Sequence, residues 1–260
     1  MDKKTEILEK SIILNGPIGS GKSLLSRILA KKLGYPVIST DAFRHLPSKK
    51  YFQNKAIEDL NEEEKAFYRL RQLLPNVPNY SEMGFNQKVD EIIYKNFGIV
   101  AWHFYQKQFE TKLLSEIFSQ LQTPSIIDLG GGMGISLDRD YEYLKDKAFE
   151  LSPESFDKYF PLKEYIGFSK IKKLLGAFKN VVYLELPNNY HDYMDKARNI
   201  LNPIFLSTNQ YKMTATQSVS VKNLIYQSQP NWQRAENLTD EIISNSGLNP
   251  VKQDVEKIKK

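Results

Sequence analysis

Residues 11–23 read Ser-Ile-Ile-Leu-Asn-Gly-Pro-Ile-Gly-Ser-Gly-Lys-Ser, and the fold turns on how this stretch is read. Ser11 to Asn15 is a short apolar run ending at a Gly/Pro cluster, which predicts a buried strand followed by a turn. Gly16 to Ser23 matches G-x-x-x-x-G-K-[ST] in full. Its glycines let the backbone curl until successive N–H groups face phosphate oxygens. From Lys22 to Leu33 the apolar residues Leu24, Leu25, Ile28, Leu29 and Leu33 recur at helical spacing, and Gly34 is placed to end the helix. The helix start brings the positive end of its dipole to the same spot. A strand before the loop and an amphipathic helix after it are the context this motif requires. Gly16, Gly19, Ser20, Gly21, Lys22, Ser23 and Leu24 are therefore expected to bind a nucleoside triphosphate. Lys22 would place a mobile charge on the β- and γ-phosphates, and Ser23 a hydroxyl on Mg²⁺.

Further along, Pro36-Val37-Ile38-Ser39 reads as a second strand running into Thr40-Asp41. The first forty residues thus form a βαβ unit with a right-handed crossover. Asp41 falls at the C-terminal end of that strand, the edge where parallel α/β sheets bind ligands. A carboxylate there can orient or deprotonate an attacking hydroxyl; capping the turn Ala42-Phe43-Arg44 is a compatible second role. Residues Pro124 to Leu129 read as a third strand, closed by Gly130-Gly131-Gly132, and Asn180 to Leu186 as a fourth. Asp128 ends an apolar run. It reads equally as an acid holding the Mg²⁺ water shell and as a strand-end carboxylate capping the glycine turn. No N-K-x-D string for guanine is found, and the short span from Lys22 to Asp41 suits small-molecule and nucleotide kinases.

Taken together, residues 16–23, Ala30 to Asp41, Ile126 to Gly132 and Asn180 to Leu184 resemble the shikimate kinase family. The resemblance implies a three-layer α/β P-loop kinase with a central parallel sheet, using ATP and Mg²⁺. It implies that Lys22 and Asp41 act in catalysis and that Gly130, Gly131 and Gly132 line the acceptor pocket. The family's acceptor carboxylate is held by arginines, one of them within an F-R-x-x-E string. The local fit here, Gln106-Lys107-Gln108-Phe109-Glu110, puts Lys107 in that place, which keeps the charge and loses the bidentate fork. The family's lid string is echoed as Asn202-Pro203-Ile204-Phe205 without its Arg, and Arg198, four residues upstream, stands in as a phosphate clamp. Ser228-Gln229-Pro230-Asn231-Trp232 echoes the C-terminal R-x-P-L-Y pattern without its Arg, and Ser39 replaces the first Asp of the usual D-x-D. Arg44, close to Asp41, is a further candidate for the acceptor. Arg69 and Arg71 lie on a charged helix and read as a solvated face.

Composition bounds the rest. The 260 residues carry 36 Lys and Arg against 31 Asp and Glu, a net charge of +5, with 41% hydrophobic residues. That balance is globular and excludes a disordered or fibrous chain. No apolar run is long enough for a transmembrane helix, and the charged start is no secretory signal. The absence of Cys excludes disulfides and thiolate chemistry. A cytoplasmic location is expected. The Lys residues are spread in short pieces such as Lys49-Lys50 and Lys172-Lys173, which reads as a solvated surface rather than a nucleic-acid footprint. The three His at 45, 103 and 191 lack metal spacing.

Residues 45–110 are dense in aromatic rings, from Tyr51 and Phe52 to Tyr105 and Phe109, which argues for a packed insertion rather than a linker. The expectation is one P-loop kinase domain over 1–260, with 45–110 as a mostly helical acceptor-side insertion and about 187–230 as a lid. The expected reaction is ATP-dependent phosphoryl transfer to a hydroxyl of a small molecule, shikimate first, in a monomer or homodimer. A nucleoside or nucleotide kinase, with the insertion stacking a base, is one alternative. A degenerate kinase that binds ATP or docks a partner is the other.

Overall fold

The computed structural model describes residues 2–16, 19–53, 55–130, 168–185, 215–222, 224–226 and 229–251; for 97–104, 107, 168–170, 225, 226 and 229 it describes the backbone alone. Five strands form one all-parallel sheet: β1 (Ile12–Asn15), β2 (Val37–Ser39), β3 (Ile126–Asp128), β4 (Asn180–Glu185) and β5 (Gln217–Ser220). Their spatial order is β2-β3-β1-β4-β5. Ile12 lies beside Ile126 on one side and Asn180 on the other, so β1 is the middle strand. Two short strands, β6 (Ile225–Tyr226) and β7 (Gln229–Pro230), pair antiparallel.

The side chains of β1 alternate between two cores. Ile12 and Leu14 pack with Leu25, Leu29, Val182 and Leu238, whereas Ile13 packs with Ile38, Leu113, Ile117, Ile127 and Val181. Both faces are therefore covered, which is why the strand is apolar without alternation. Burying each of these side chains contributes about 1.5–3 kcal/mol. One face is covered by α2 (Lys22–Leu33) and α7 (Trp232–Asn245). The other is covered by α5 (Gln87–Gln120) and α6 (Phe168–Leu175), with Ile7 of α1 (Lys3–Lys10) joining them. The result is the three-layer α/β architecture expected of a P-loop kinase.

Directions within the layers place the loops. Arg234, near the start of α7, donates to the carbonyl of Ser220 at the end of β5 (3.1 Å), and Gln217 at the start of β5 donates to Ser246 just past the end of α7 (3.0 Å). So α7 runs antiparallel to β5 and begins at the C-terminal edge of the sheet. The chain leaves β1 toward β2 on one side and β4 toward β5 on the other. Loops diverge at the edge beside β1, and such a crevice is where open α/β sheets bind ligands.

Residues 45–110 are packed through their aromatic rings. They carry α3 (Lys49–Phe52), a 3₁₀ turn (Ile57–Asp59), α4 (Glu62–Leu73) and the N-terminal part of α5. Phe85 meets Phe109 edge-on at 5.4 Å between centroids, and Tyr105 meets Phe109 at 5.1 Å. Asn61 and Glu64 form a reciprocal capping box that starts α4. Arg71 departs from the solvated face expected of it. It is buried, donates to the carbonyls of Val77 (2.6 Å) and Pro47 (3.0 Å), and pairs with Glu82 at 3.2 Å. The main-chain carbonyls of Val77, just past α4, and of Pro47, well before it, draw it inward, and no local charge pattern marks them.

Candidate functional site

The loop after β1 is shaped by contacts from both flanks. Gly16 adopts φ 150°, and a Cβ there would stand 2.9 Å from the carbonyl oxygen of Leu184 in β4, so no side chain fits. Gly21, at φ 86°, caps α2; a Cβ on it would meet Leu224 at 2.5 Å. Asn15 accepts a hydrogen bond from the Gly16 N–H at 2.9 Å. Among the described residues, Asn15 Nδ2 and Ser20 Oγ are buried with no hydrogen-bond partner. Two orphaned groups able to donate, both buried at the loop, fit an anionic ligand there.

Lys22 is buried and its ammonium donates to the Gly16 carbonyl at 2.8 Å. Burial depresses its pKa, opposed by the nearby carboxylates of Asp128 and Asp41. Asp128 is buried as well, and Oδ2 accepts a hydrogen bond from Ser23 Oγ at 2.7 Å. Burial raises its carboxyl pKa, while the Ser23 hydrogen bond and Lys22 pull the other way. The carboxylate thus turns toward the loop after β1. A hydroxyl and a carboxylate make a hard-oxygen pair suited to Mg²⁺. Among the described residues no group of three His, Asp or Glu gathers, so phosphate oxygens and water would complete a cation shell.

Asp41 lies in the 3₁₀ turn Thr40–Arg44 that follows β2 directly. Its carboxylate presses on Gly130, where a Cβ would stand 2.1 Å from Oδ1. Thr40, fully buried, holds the two strand ends together. Its hydroxyl donates to the Asp128 carbonyl (3.2 Å) and accepts from the Gly130 N–H (2.7 Å). Arg44, on the same turn, donates to Gln106 Oε1 (2.7 Å) and Glu110 Oε1 (3.2 Å) of α5, and lies 5.3 Å from the Tyr80 ring centroid. Its Nε is buried with no partner. The segment before α5 fixes this turn from outside: Tyr80 N–H donates to the Phe43 carbonyl (3.2 Å), and Asn79 Nδ2 donates to the Leu46 carbonyl (2.8 Å).

The structure is similar to the shikimate kinase of Acinetobacter baumannii in complex with shikimate, with a TM-score of 0.44 and 17% sequence identity over 93% of this chain and 96% of that chain. No family model matches the chain, and no curated protein matches it.

Of the residues singled out from the sequence, Lys22, Ser23, Asp41, Asp128 and Gly130 come together at the C-terminal edge of the sheet, with Gly16, Gly19, Ser20, Gly21 and Leu24 in the adjoining loop and helix. Arg44 is close to Asp41 in space as well as in sequence, its guanidinium held by Gln106 and Glu110. Lys107 belongs to α5, where its backbone alone is described. Gly131, Gly132 and Arg198 lie outside the described residues, as does most of the span expected to form a lid. Within that span, Gln217–Ser220 forms edge strand β5. Thr40 and Leu224 belong to the site without having been legible. A threonine before an aspartate carries no signal of its own, and Leu224 reaches Gly21 across the length of the chain. No described helix is long and apolar enough to cross a membrane.

Proposed function

We propose that this protein transfers the γ-phosphoryl group of ATP to a hydroxyl of a small molecule bound beside Asp41, Gly130 and Arg44. The observation that carries this reading is one juxtaposition. The Asp41 carboxylate lies against Gly130, and two residues earlier on the same strand end Asp128 pairs with Ser23 at 2.7 Å, so both features stand on the β3 side of β1. A proton acceptor and a candidate cation-holding pair thereby stand side by side next to the phosphate loop.

The loop N–H groups and the Lys22 ammonium cradle the phosphates. Ser23 and Asp128 would hold a Mg²⁺ ion, which would supply neutralisation of phosphate charge. Asp41 aligns the acceptor hydroxyl and takes its proton. The acceptor oxygen forms a bond to the γ-phosphorus as the bond from that phosphorus to the bridging oxygen breaks, its electron pair staying with ADP. Thr40 keeps Asp41 and Asp128 in register through the two strand ends. Arg44, oriented by Gln106 and Glu110, offers a guanidinium to an anionic group on the acceptor. It takes the place that Lys107 leaves without a bidentate donor.

The test is ADP release from purified protein with ATP and Mg²⁺, measured with shikimate, other hydroxy acids and a panel of nucleosides. Turnover that depends on a hydroxylated acid and falls steeply in both Lys22→Ala and Asp41→Asn supports the reading. ATP binding without acceptor-dependent turnover across the panel overturns it, and turnover with nucleosides alone overturns the anionic acceptor.

A further inference from the structure

The sheet ends on β2, which pairs with β3 and has no strand on its other side. The Ile126 N–H donates to the Pro36 carbonyl at 2.9 Å, and in a parallel ladder the residue two further along turns its main-chain groups to the same neighbour. Pro36 and Ile38 therefore face β3, while Val37 between them presents its N–H and C=O outward. Among the described residues neither group has a hydrogen-bond partner. Open edges are ordinarily blunted by charge or covered by another element. Val37-Ile38-Ser39 carries no charge, and beside it runs a groove of about 760 Å³.

The groove has two walls. Val37, Ser39 and Ala42 belong to β2 and the turn after it, and Phe67, Arg69 and Leu73 belong to α4. Phe67 and Leu73 pack on the core yet stay half-buried, so each leaves apolar surface to the groove. Arg69 alone among the described lining residues is charged. It is exposed and makes no salt bridge or hydrogen bond among the described residues. A strand edge beside a helix takes an extended chain: its main-chain groups pair with the edge, and alternate side chains drop toward the helix. The cation selects a carboxylate on that chain. A second copy of this protein answers the edge but not the cation, because the strand it would offer, Val37-Ile38-Ser39, carries no carboxylate. Strand β3 lies between this edge and β1, so the groove is apart from the phosphate loop. Ala42 follows Asp41 directly, so an occupant abuts the turn that carries it.

We propose that the groove between β2 and α4 binds an extended, acidic peptide segment of a partner protein. The segment adds to the sheet by pairing with Val37, sets an apolar side chain against Phe67 and Leu73, and places a carboxylate on Arg69. The full chain is titrated with two fluorescent short peptides, one alternating Val with Glu and one alternating Val with Lys. Binding is followed by anisotropy, and amide hydrogen exchange is read at Val37. The Glu peptide should bind and slow exchange at Val37, with the Lys peptide at least roughly tenfold weaker. Arg69→Glu should reverse that preference at an unchanged melting temperature, since the side chain is exposed and unbonded. Val37→Pro deletes the outward N–H at an edge position where proline is tolerated and should abolish binding, whereas Val37→Thr should keep it. Should Val37→Pro unfold, the charge reversal at Arg69 decides alone. No binding of the Glu peptide, equal affinity for the two peptides, or binding that survives in folded Val37→Pro overturns the inference. A wild-type dimer in sedimentation that Val37→Pro or Arg69→Glu dissolves would give the edge to a second copy and overturn it as well.

Discussion

Gly130→Ala is the sharpest probe of how the site is assembled. The added methyl would stand 2.1 Å from Asp41 Oδ1, 2.9 Å from Cγ and 3.2 Å from Oδ2, where ordinary contact begins near 3.4 Å. The carboxylate must therefore retreat by more than an ångström. Gly130 has no left-handed backbone requirement, so alanine brings no conformational penalty of its own. The methyl meets the end of an exposed side chain that can swing aside, and the expected stability change is below about 1 kcal/mol. Catalysis is the sensitive quantity. A misplacement of about 1 Å costs on the order of 100-fold in rate, or about 2.7 kcal/mol of activation free energy. Steady-state ADP release should show kcat falling by about that factor with the melting temperature kept. In an Asp41→Asn background, already slowed by removal of its base, the alanine should add little, because both changes act on one group. Full activity in Gly130→Ala, or a loss that multiplies with that of Asp41→Asn, would refute the idea that Gly130 exists to admit the Asp41 carboxylate.

Other outcomes follow from the same geometry. Asp128→Asn should abolish Mg²⁺-dependent turnover yet raise the melting temperature near neutral pH. Burial lifts the carboxyl pKa of the folded state above its unfolded value, so ionised Asp128 loses stability as pH climbs through that interval; melts across pH should show the advantage fading in acid, and equal stability at neutral pH would contradict it. Thr40→Val leaves the Gly130 N–H buried without its acceptor and should cost about 1–3 kcal/mol, read by urea denaturation, with Thr40→Ser restoring most of it. Arg71→Met removes the donors that tie α4 to Pro47 and Val77 and should cost about 2–4 kcal/mol. A loss below about 0.5 kcal/mol would return Arg71 to the solvated face its sequence context suggests.

What the sequence disclosed follows from where each element is buried. Helix α2 is legible end to end, Lys22 to Leu33, because one stripe faces the sheet and Gly34 ends it at φ 67°. Strands β1, β3 and β4 are legible because they are covered on both faces. β5 is not: Gln217-Ser218-Val219-Ser220 has a neighbour on one side only, and Val219 alone of its residues is buried. Helix α1 escapes for a related reason, with Ile7 as its one buried residue. The closing helix starts at Trp232, where the Asn231 cap sets the boundary. At the site, the motif names the phosphate-binding residues, since that chemistry is local. Thr40 acts on Asp128 and Gly130 far away in sequence and no local pattern marks it, whereas Gln106 and Glu110 lie in the string read for a carboxylate-binding cation and turn out to hold Arg44.

The central position of β1 has a consequence for biosynthesis. Ile12 leaves the ribosome early, but its partners Ile126 and Asn180 follow much later. At roughly 5–20 residues per second, the strand on which the phosphate loop is mounted waits roughly 8–35 s for its second neighbour. Until Ile126 emerges, Ile12, Ile13 and Leu14 are an apolar run with neither flank paired, and from then until Asn180 emerges one flank stays open, the state in which nascent chains most need shielding. Gly16 meets its Leu184 wall, and Gly21 its Leu224 wall, only after those residues emerge. The loop encoded near the start of the chain is thus among the last parts to take its final shape.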